Sequence, residues 1–192
     1  MTNHLTRRET LTGAIASLAA ASVATRVAHA QGTGSGRLVV YLSRSGNTRV
    51  LAGALSRQFD ADLFEMRPAT PWPADYDQMV AWATDLREQD ADVPLAEDVD
   101  LGRYRTVFLG FPIWGGAMSG VMASFLRSHD LSGKTVVPFI THGGYGEGSA
   151  LQTLAELASG AEILPPFVLE CDQERNTLRQ LDSWTQGLPT AL

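Results

Sequence analysis

From Arg37 onward the chain alternates short β-branched apolar runs with stretches whose apolar residues recur at helical spacing. Leu38-Val39-Val40-Tyr41-Leu42 is a continuous apolar run, the pattern of a strand buried on both faces. Residues 47–59 then read as a helix with Val50, Leu51, Ala54 and Leu55 on one face. Residues 61–66 form a second strand, less apolar and therefore suited to a place nearer an edge. Pro68, Pro71 and Pro73 interrupt the chain before a helix over about residues 75–89. A third strand over 106–111 precedes a helix over 119–128, and a fourth over 135–140 precedes a helix over about 149–159. Residues 163–169 supply a fifth strand, where Pro165 and Pro166 suit an edge better than a centre. A helix over 174–186 closes the chain. Five strand–helix units in succession predict an α/β domain over residues 37–192, a doubly wound parallel sheet with helices on both faces.

The residues ahead of this domain have a different character. Thr6-Arg7-Arg8-Glu9-Thr10-Leu11 places two arginines before a mild apolar stretch, Leu11 to Ala24, and Ala28-His29-Ala30 supplies a small-x-small cleavage site. Residues 1–30 therefore resemble a twin-arginine export signal, with Thr10 where phenylalanine is more usual; the other reading is an exposed helix carrying two chance arginines. The apolar stretch, of about 14 residues, falls short of the roughly 20 that span a bilayer, so stable membrane insertion after cleavage is not expected. Residues 31–36, Gln-Gly-Thr-Gly-Ser-Gly, have the composition of a flexible linker. The signal implies a periplasmic protein exported already folded, often with a cofactor in place.

Composition narrows the class. At 192 residues with 44% hydrophobic positions, the chain suits one domain plus an appendage and is too apolar for a disordered one. Cys171 is the single cysteine, so no intramolecular disulfide forms, and no Cys/His group has metal-site spacing. The formal net charge is −6, and −8 once Arg7, Arg8, Arg26 and Glu9 leave with the signal. Nucleic acid is thereby disfavoured as a partner.

In an open parallel sheet the ligand side is the edge where the strands end. After the first strand comes Ser43-Arg44-Ser45-Gly46-Asn47-Thr48, opening directly into a helix. Hydroxyls, a permissive glycine and the unpaired amides of a helix N-terminus suit a phosphate group. Plain helix capping by Ser45 or Asn47 is the alternative. After the third strand, Pro112-Ile113-Trp114-Gly115-Gly116-Ala117-Met118 sets a tryptophan in a glycine-rich loop, either to cover a flat ligand or as a lid on the third helix. After the fourth, Thr141-His142-Gly143-Gly144-Tyr145-Gly146-Glu147-Gly148-Ser149 offers backbone groups to a ligand edge and Tyr145 as a second ring contact. His142 reads either as a proton donor or as a polar loop residue, and His129 as a helix-end residue.

Together these loops suit a phosphate, a linker and a planar ring along one edge, and here the chain resembles the flavodoxin-like family. Ser43, Ser45, Gly46 and Thr48 match its hydroxyl-x-hydroxyl-Gly-x-Thr phosphate loop; Phe111 to Gly115 and Thr141 to Gly148 look like its two ring-flanking loops. The likeness runs over about residues 37–160 and is closest to a bacterial branch with a Pro-Ile-Trp third loop, down to Tyr76, Pro94 and Leu131-Ser132-Gly133-Lys134. It implies noncovalent FMN, strand order 2-1-3-4-5 and oxidoreduction with a redox partner protein or a small-molecule electron acceptor. The implied cofactor-binding residues are Ser43, Arg44, Ser45, Gly46, Asn47 and Thr48; Pro112, Ile113, Trp114, Gly115 and Gly116; and Thr141, His142, Gly143, Gly144, Tyr145 and Gly148. The branch often carries a bulky aromatic where Gly115 stands, which leaves one ring face open or hands it to Tyr145 or Trp72. Arg44 is unusual there and either pairs with the phosphate or points to solvent.

Three other signals fail on context. Gly133-Lys134-Thr135 ends like a nucleotide-binding loop, but Ser128 replaces its first glycine and the segment precedes a strand. Gly144-x-Gly146 lacks the third glycine of a dinucleotide fingerprint, and no serine sits in a Gly-x-Ser-x-Gly elbow. The expectation is an FMN-dependent electron carrier, with an NAD(P)H-dependent quinone-type reductase and a flavin-free binding module as rival readings.

Overall fold

A computed structural model of the chain describes residues 36–171 and 174–189. The twin-arginine motif, the cleavage site and residues 31–35 of the linker lie outside the described residues.

The strands are β1 (Arg37–Leu42), β2 (Asp62–Met66), β3 (Thr106–Trp114), β4 (Ala117–Met118), β5 (Thr135–His142), β6 (Glu162–Ile163) and β7 (Phe167–Glu170). The helices are α1 (Asn47–Phe59), α2 (Tyr76–Glu88), α3 (Gly120–Ser128), α4 (Ala150–Leu157) and α5 (Glu174–Thr185). The main sheet runs β2-β1-β3-β5-β6, with β7 also on β5. Counting β6 and β7 as one interrupted strand, this is the expected order 2-1-3-4-5, all parallel.

Alternation along the strands sends successive residues to opposite faces and divides the core in two. Leu38, Val40, Leu42, Leu109 and Phe111 pack with Met122 and Phe125 of α3 and Leu154 of α4, and Trp82 and Leu86 of α2 join them. Val39, Tyr41, Phe108 and Phe139 pack on the other face with Leu51 and Leu55 of α1 and Leu181 of α5. The central strands are buried on both sides, which is why β1 reads as an unbroken apolar run.

Two expectations need correction. The fifth strand is not continuous over 163–169: β6 and β7 pair separately with β5, interrupted at Pro165 and Pro166, which have no amide proton for a ladder. The segment after the third strand is not a plain loop either. β3 continues through Pro112, Ile113 and Trp114, then folds back as a two-residue hairpin onto the short antiparallel β4. Gly115 and Gly116 have φ of +59° and +76°, the positive pair that a primed two-residue turn requires.

The opposite edge of the sheet is closed by the chain itself. Tyr104 and Arg103 donate to Asp62 Oδ2 at 2.6 and 2.7 Å, and Lys134 Nζ donates to the carbonyls of Leu101 and Tyr104. Lys134 thus fastens a turn and is not a phosphate ligand. His129 follows α3, stacks on Phe125 and meets Asp98 at 2.8 Å.

Candidate functional site

The loop between β1 and α1 is built around a helix start whose N-cap residue has no side chain to cap it. Asp75 and Ser119 cap α2 and α3 through their side chains, whereas the residue before α1 is Gly46, with φ of +101° and no side chain to offer. Neither Ser45 nor Asn47 caps the helix. Ser43, nearly buried, accepts from the amides of Gly46 and Arg49 through Oγ, at 3.2 and 3.3 Å. The amides of Asn47 and Thr48 have no acceptor among the described residues, and Ser45 is exposed beside them. Unpaired N–H groups at the positive end of a helix, with a hydroxyl at hand, are the chemistry that holds a phosphate.

Cross-bonds bring the three strand-end loops together. The hydroxyls of Thr48 and Thr141, both 1% exposed, hydrogen-bond at 2.9 Å and lock the start of α1 to the end of β5. Pro112 lies in register with Thr141 on the neighbouring strand. The Ser149 amide donates to Gly116 O at 3.2 Å, joining the loop before α4 to the β3–β4 hairpin. At Gly148 that approach is so close that a Cβ would fall 1.9 Å from Gly116 O.

Within the last loop, His142 Nδ1 accepts from the amides of Gly144 and Gly146 at 3.1 and 3.2 Å. Accepting there places the ring proton on Nε2. His142 thereby shapes the glycine loop, and the two amides it takes are not free for a ligand. The amides of Gly143, Tyr145 and Gly148 have no backbone acceptor among the described residues. Tyr145 stands 91% exposed at the tip.

The hairpin is held from α2 as well. Arg87 donates to Trp114 O at 3.4 Å, and its guanidinium lies where a Cβ on Gly115 would fall, 2.5 Å from Nη1. A bulky aromatic at that position would have to move Arg87 aside, and the φ of +59° already favours glycine there. Trp72 packs edge-on against Trp114, with centroids 6.2 Å apart and planes at 88°. Arg44 donates to Ala74 O at 3.3 Å, so it reaches across to the segment before α2. Arg87 was invisible to the sequence reading, because its place depends on a contact 27 positions away. The Gly115-Gly116 hairpin, by contrast, carries a local signal: two glycines between residues of strand propensity.

Beside the β1–α1 loop, Glu65 on β2 bonds to Arg49 and Arg67. Burial disfavours its ionised form, but the two guanidinium bonds and charges outweigh that and hold the carboxyl below its ordinary range. Burial, reinforced by the Glu65 charge, raises the Tyr41 hydroxyl.

These features fit FMN: unpaired amides and hydroxyls for the phosphate, and a hairpin tryptophan and an exposed tyrosine on two adjoining loops for the ring. Among the described residues no group of His, Cys, Asp or Glu could hold a metal ion, and no helix is long and apolar enough to cross a membrane.

The Flavodoxin family matches over residues 36–186. No curated protein matches. Among solved structures, a candidate flavoprotein from Bacteroides uniformis is 24% identical, with a TM-score of 0.68, covering 78% of this chain and 97% of that one. A second, from Bacteroides eggerthii, is 26% identical, with a TM-score of 0.66, covering 78% and 95%. A flavoprotein from Lactobacillus acidophilus, solved in complex with FMN, is 21% identical, with a TM-score of 0.58, covering 73% and 96%. With the family matched across nearly all of the α/β domain, the chain belongs to the flavodoxin family.

Proposed function

We propose that this chain is an exported, FMN-binding flavodoxin that carries electrons in the periplasm, between a redox partner protein and another protein or a small-molecule acceptor. The observation that carries the reading is the cross-bonded rim. Thr48–Thr141 and Ser149–Gly116 gather an unpaired helix start, a tryptophan hairpin and a glycine loop along one edge of the sheet.

Bound FMN supplies oxidoreduction; the chain's part is to hold and orient it. The amides of Asn47 and Thr48, with the hydroxyls of Ser43 and Ser45, would hold the phosphate, and Thr48 is positioned by its bond to Thr141. Trp114 and Tyr145 would flank the ring, while Pro112, Ile113 and the Gly115-Gly116 turn set the height of Trp114. The free amides of Gly143, Tyr145 and Gly148 would meet the ring's polar edge. The acidic mature chain disfavours additional negative charge on the ring, which lowers its potential.

The test is to express the full chain in bacteria with and without a working twin-arginine translocase. The expected result is a flavin-loaded protein starting at Gln31 in the periplasmic extract of the first strain only. The purified protein should reduce with dithionite and reoxidise, with no steady oxidation of NADH or NADPH when acceptors are varied. Sustained NAD(P)H turnover would make it a reductase instead. A flavin-free periplasmic protein that takes up no FMN would make it a binding module.

A further inference from the structure

A cavity of about 160 Å³ lies between α2 and the β3–β4 hairpin; its α2 side is unused by the FMN reading, while Arg44, Ile113, Trp114 and Gly115 are shared with it. Its walls are Met79, Val80, Ala83 and Ile113, with the Trp114 side chain beside them, and its two cationic residues are Arg44 and Arg87. Each guanidinium has a backbone carbonyl as its partner, Ala74 O and Trp114 O respectively, and neither has a carboxylate in ion-pair range among the described residues. Arg49, Arg67, Arg103 and Arg127 all have one. A larger cavity of about 500 Å³ beside α3 makes the contrast. There Arg127 is bound to Asp90 and Asp92 and His129 to Asp98, so its charges are already satisfied.

A mainly apolar space, with Tyr76 and Thr84 also on its lining and two guanidinium groups without a carboxylate partner, is complementary to a small molecule with a flat apolar body and an anionic end. Its size sets the body: a cavity of roughly 150 Å³ admits one benzene ring. We infer that this cavity is a binding site for planar single-ring carboxylates, of the benzoate class. The ring would lie among Met79, Val80 and Ile113, and the carboxylate would take N–H donors from Arg44 and Arg87. The site shares one wall, Ile113 to Gly115, with the hairpin proposed to flank the flavin, and the probe is expected to bind it with or without FMN.

The probe is 4-nitrobenzoate, with uncharged 4-nitrobenzamide as its isostere, titrated by calorimetry into the mature chain with and without FMN. Saturable 1:1 binding of the carboxylate is expected in both, with the amide at least about tenfold weaker. Arg44→Gln and Arg87→Gln should each weaken the carboxylate by about tenfold. Because Arg87 also steadies the hairpin, Ala83→Phe is the second variant: it fills the cavity, should abolish 4-nitrobenzoate binding and leaves FMN affinity as it was. No binding of the carboxylate, equal binding of the amide, or unchanged binding in all three variants would overturn the site. If the probe binds and FMN does not, the cavity stands and the proposed function falls; if FMN binds and the probe does not, the reverse holds.

Discussion

The two edges of the sheet handle polar groups in opposite ways. Where the strands begin, polar groups meet inside the chain: Asp62 takes both Tyr104 and Arg103, and Lys134 is spent on two carbonyls. Burial and the hydrogen bond to Asp62 both push the Tyr104 hydroxyl up. Where the strands end, donors are left over. The amides of Asn47 and Thr48 have no acceptor among the described residues, the glycine loop keeps free N–H groups, Tyr145 stands exposed on a turn, and Trp114 ends β3 at the margin of the core. An edge that satisfies itself is structural, whereas one built with spare donors and tied-down loops is arranged for a ligand. Charge pairing on the rim stands further out, at Glu65 with Arg49 and Arg67.

The sharpest way to break this contrast is at Gly148. Valine there forces a Cβ against Gly116 O at a φ of +54°, which separates the two loops. FMN affinity should fall about 100-fold, roughly 3 kcal/mol, in a flavin titration, with the far-ultraviolet circular dichroism unchanged. Thr48→Ala comes next. It removes one side of a buried hydroxyl pair beside the unpaired Asn47 and Thr48 amides, and should weaken FMN by about 2 kcal/mol; unchanged affinity would take Thr48 out of the site. Asp62→Ala tests the other edge. It leaves the Tyr104 hydroxyl without its acceptor and should lower unfolding free energy by about 1.5–2 kcal/mol, while FMN affinity stays within about twofold.

The smallest effect is electrostatic. Because the folded carboxyl of Glu65 titrates below its unfolded value, its contribution is present at neutral pH and fades as pH falls below about 4.3 toward the folded pKa. Both arginines are more than half exposed, so Glu65→Gln should cost only about 0.5 kcal/mol at pH 7. The gap between variant and parent should close in acid, as denaturant melts at pH 7 and pH 3 would show.

The division between what was legible in the chain and what was not follows the same contrast. Strand and helix positions are local: the apolar run of β1 and the helical spacing of 47–59 reappear as β1 and α1 with the same bounds for the helix. The loops destined for the rim were legible as well, because spare hydroxyls and glycines at strand ends have a composition of their own. Their cross-bonds were not, since Thr48 and Thr141 are 93 positions apart and nothing in either neighbourhood names the other. The same holds for Arg87 over Gly115 and for Arg44 at Ala74, which close a cavity only after α2 packs on the hairpin. The broken fifth strand was half legible: Pro165 and Pro166 pointed to an edge, but not to two separate pairings with β5.

The central claim is that the strand-end rim holds FMN by the loop that opens α1. Adding FMN to the flavin-free protein and following flavin fluorescence tests it most directly. Saturable quenching at one FMN per chain, weakened by Thr48→Ala and by inorganic phosphate in competition, is the predicted result. Fluorescence that stays at the level of free FMN at every protein concentration would contradict it.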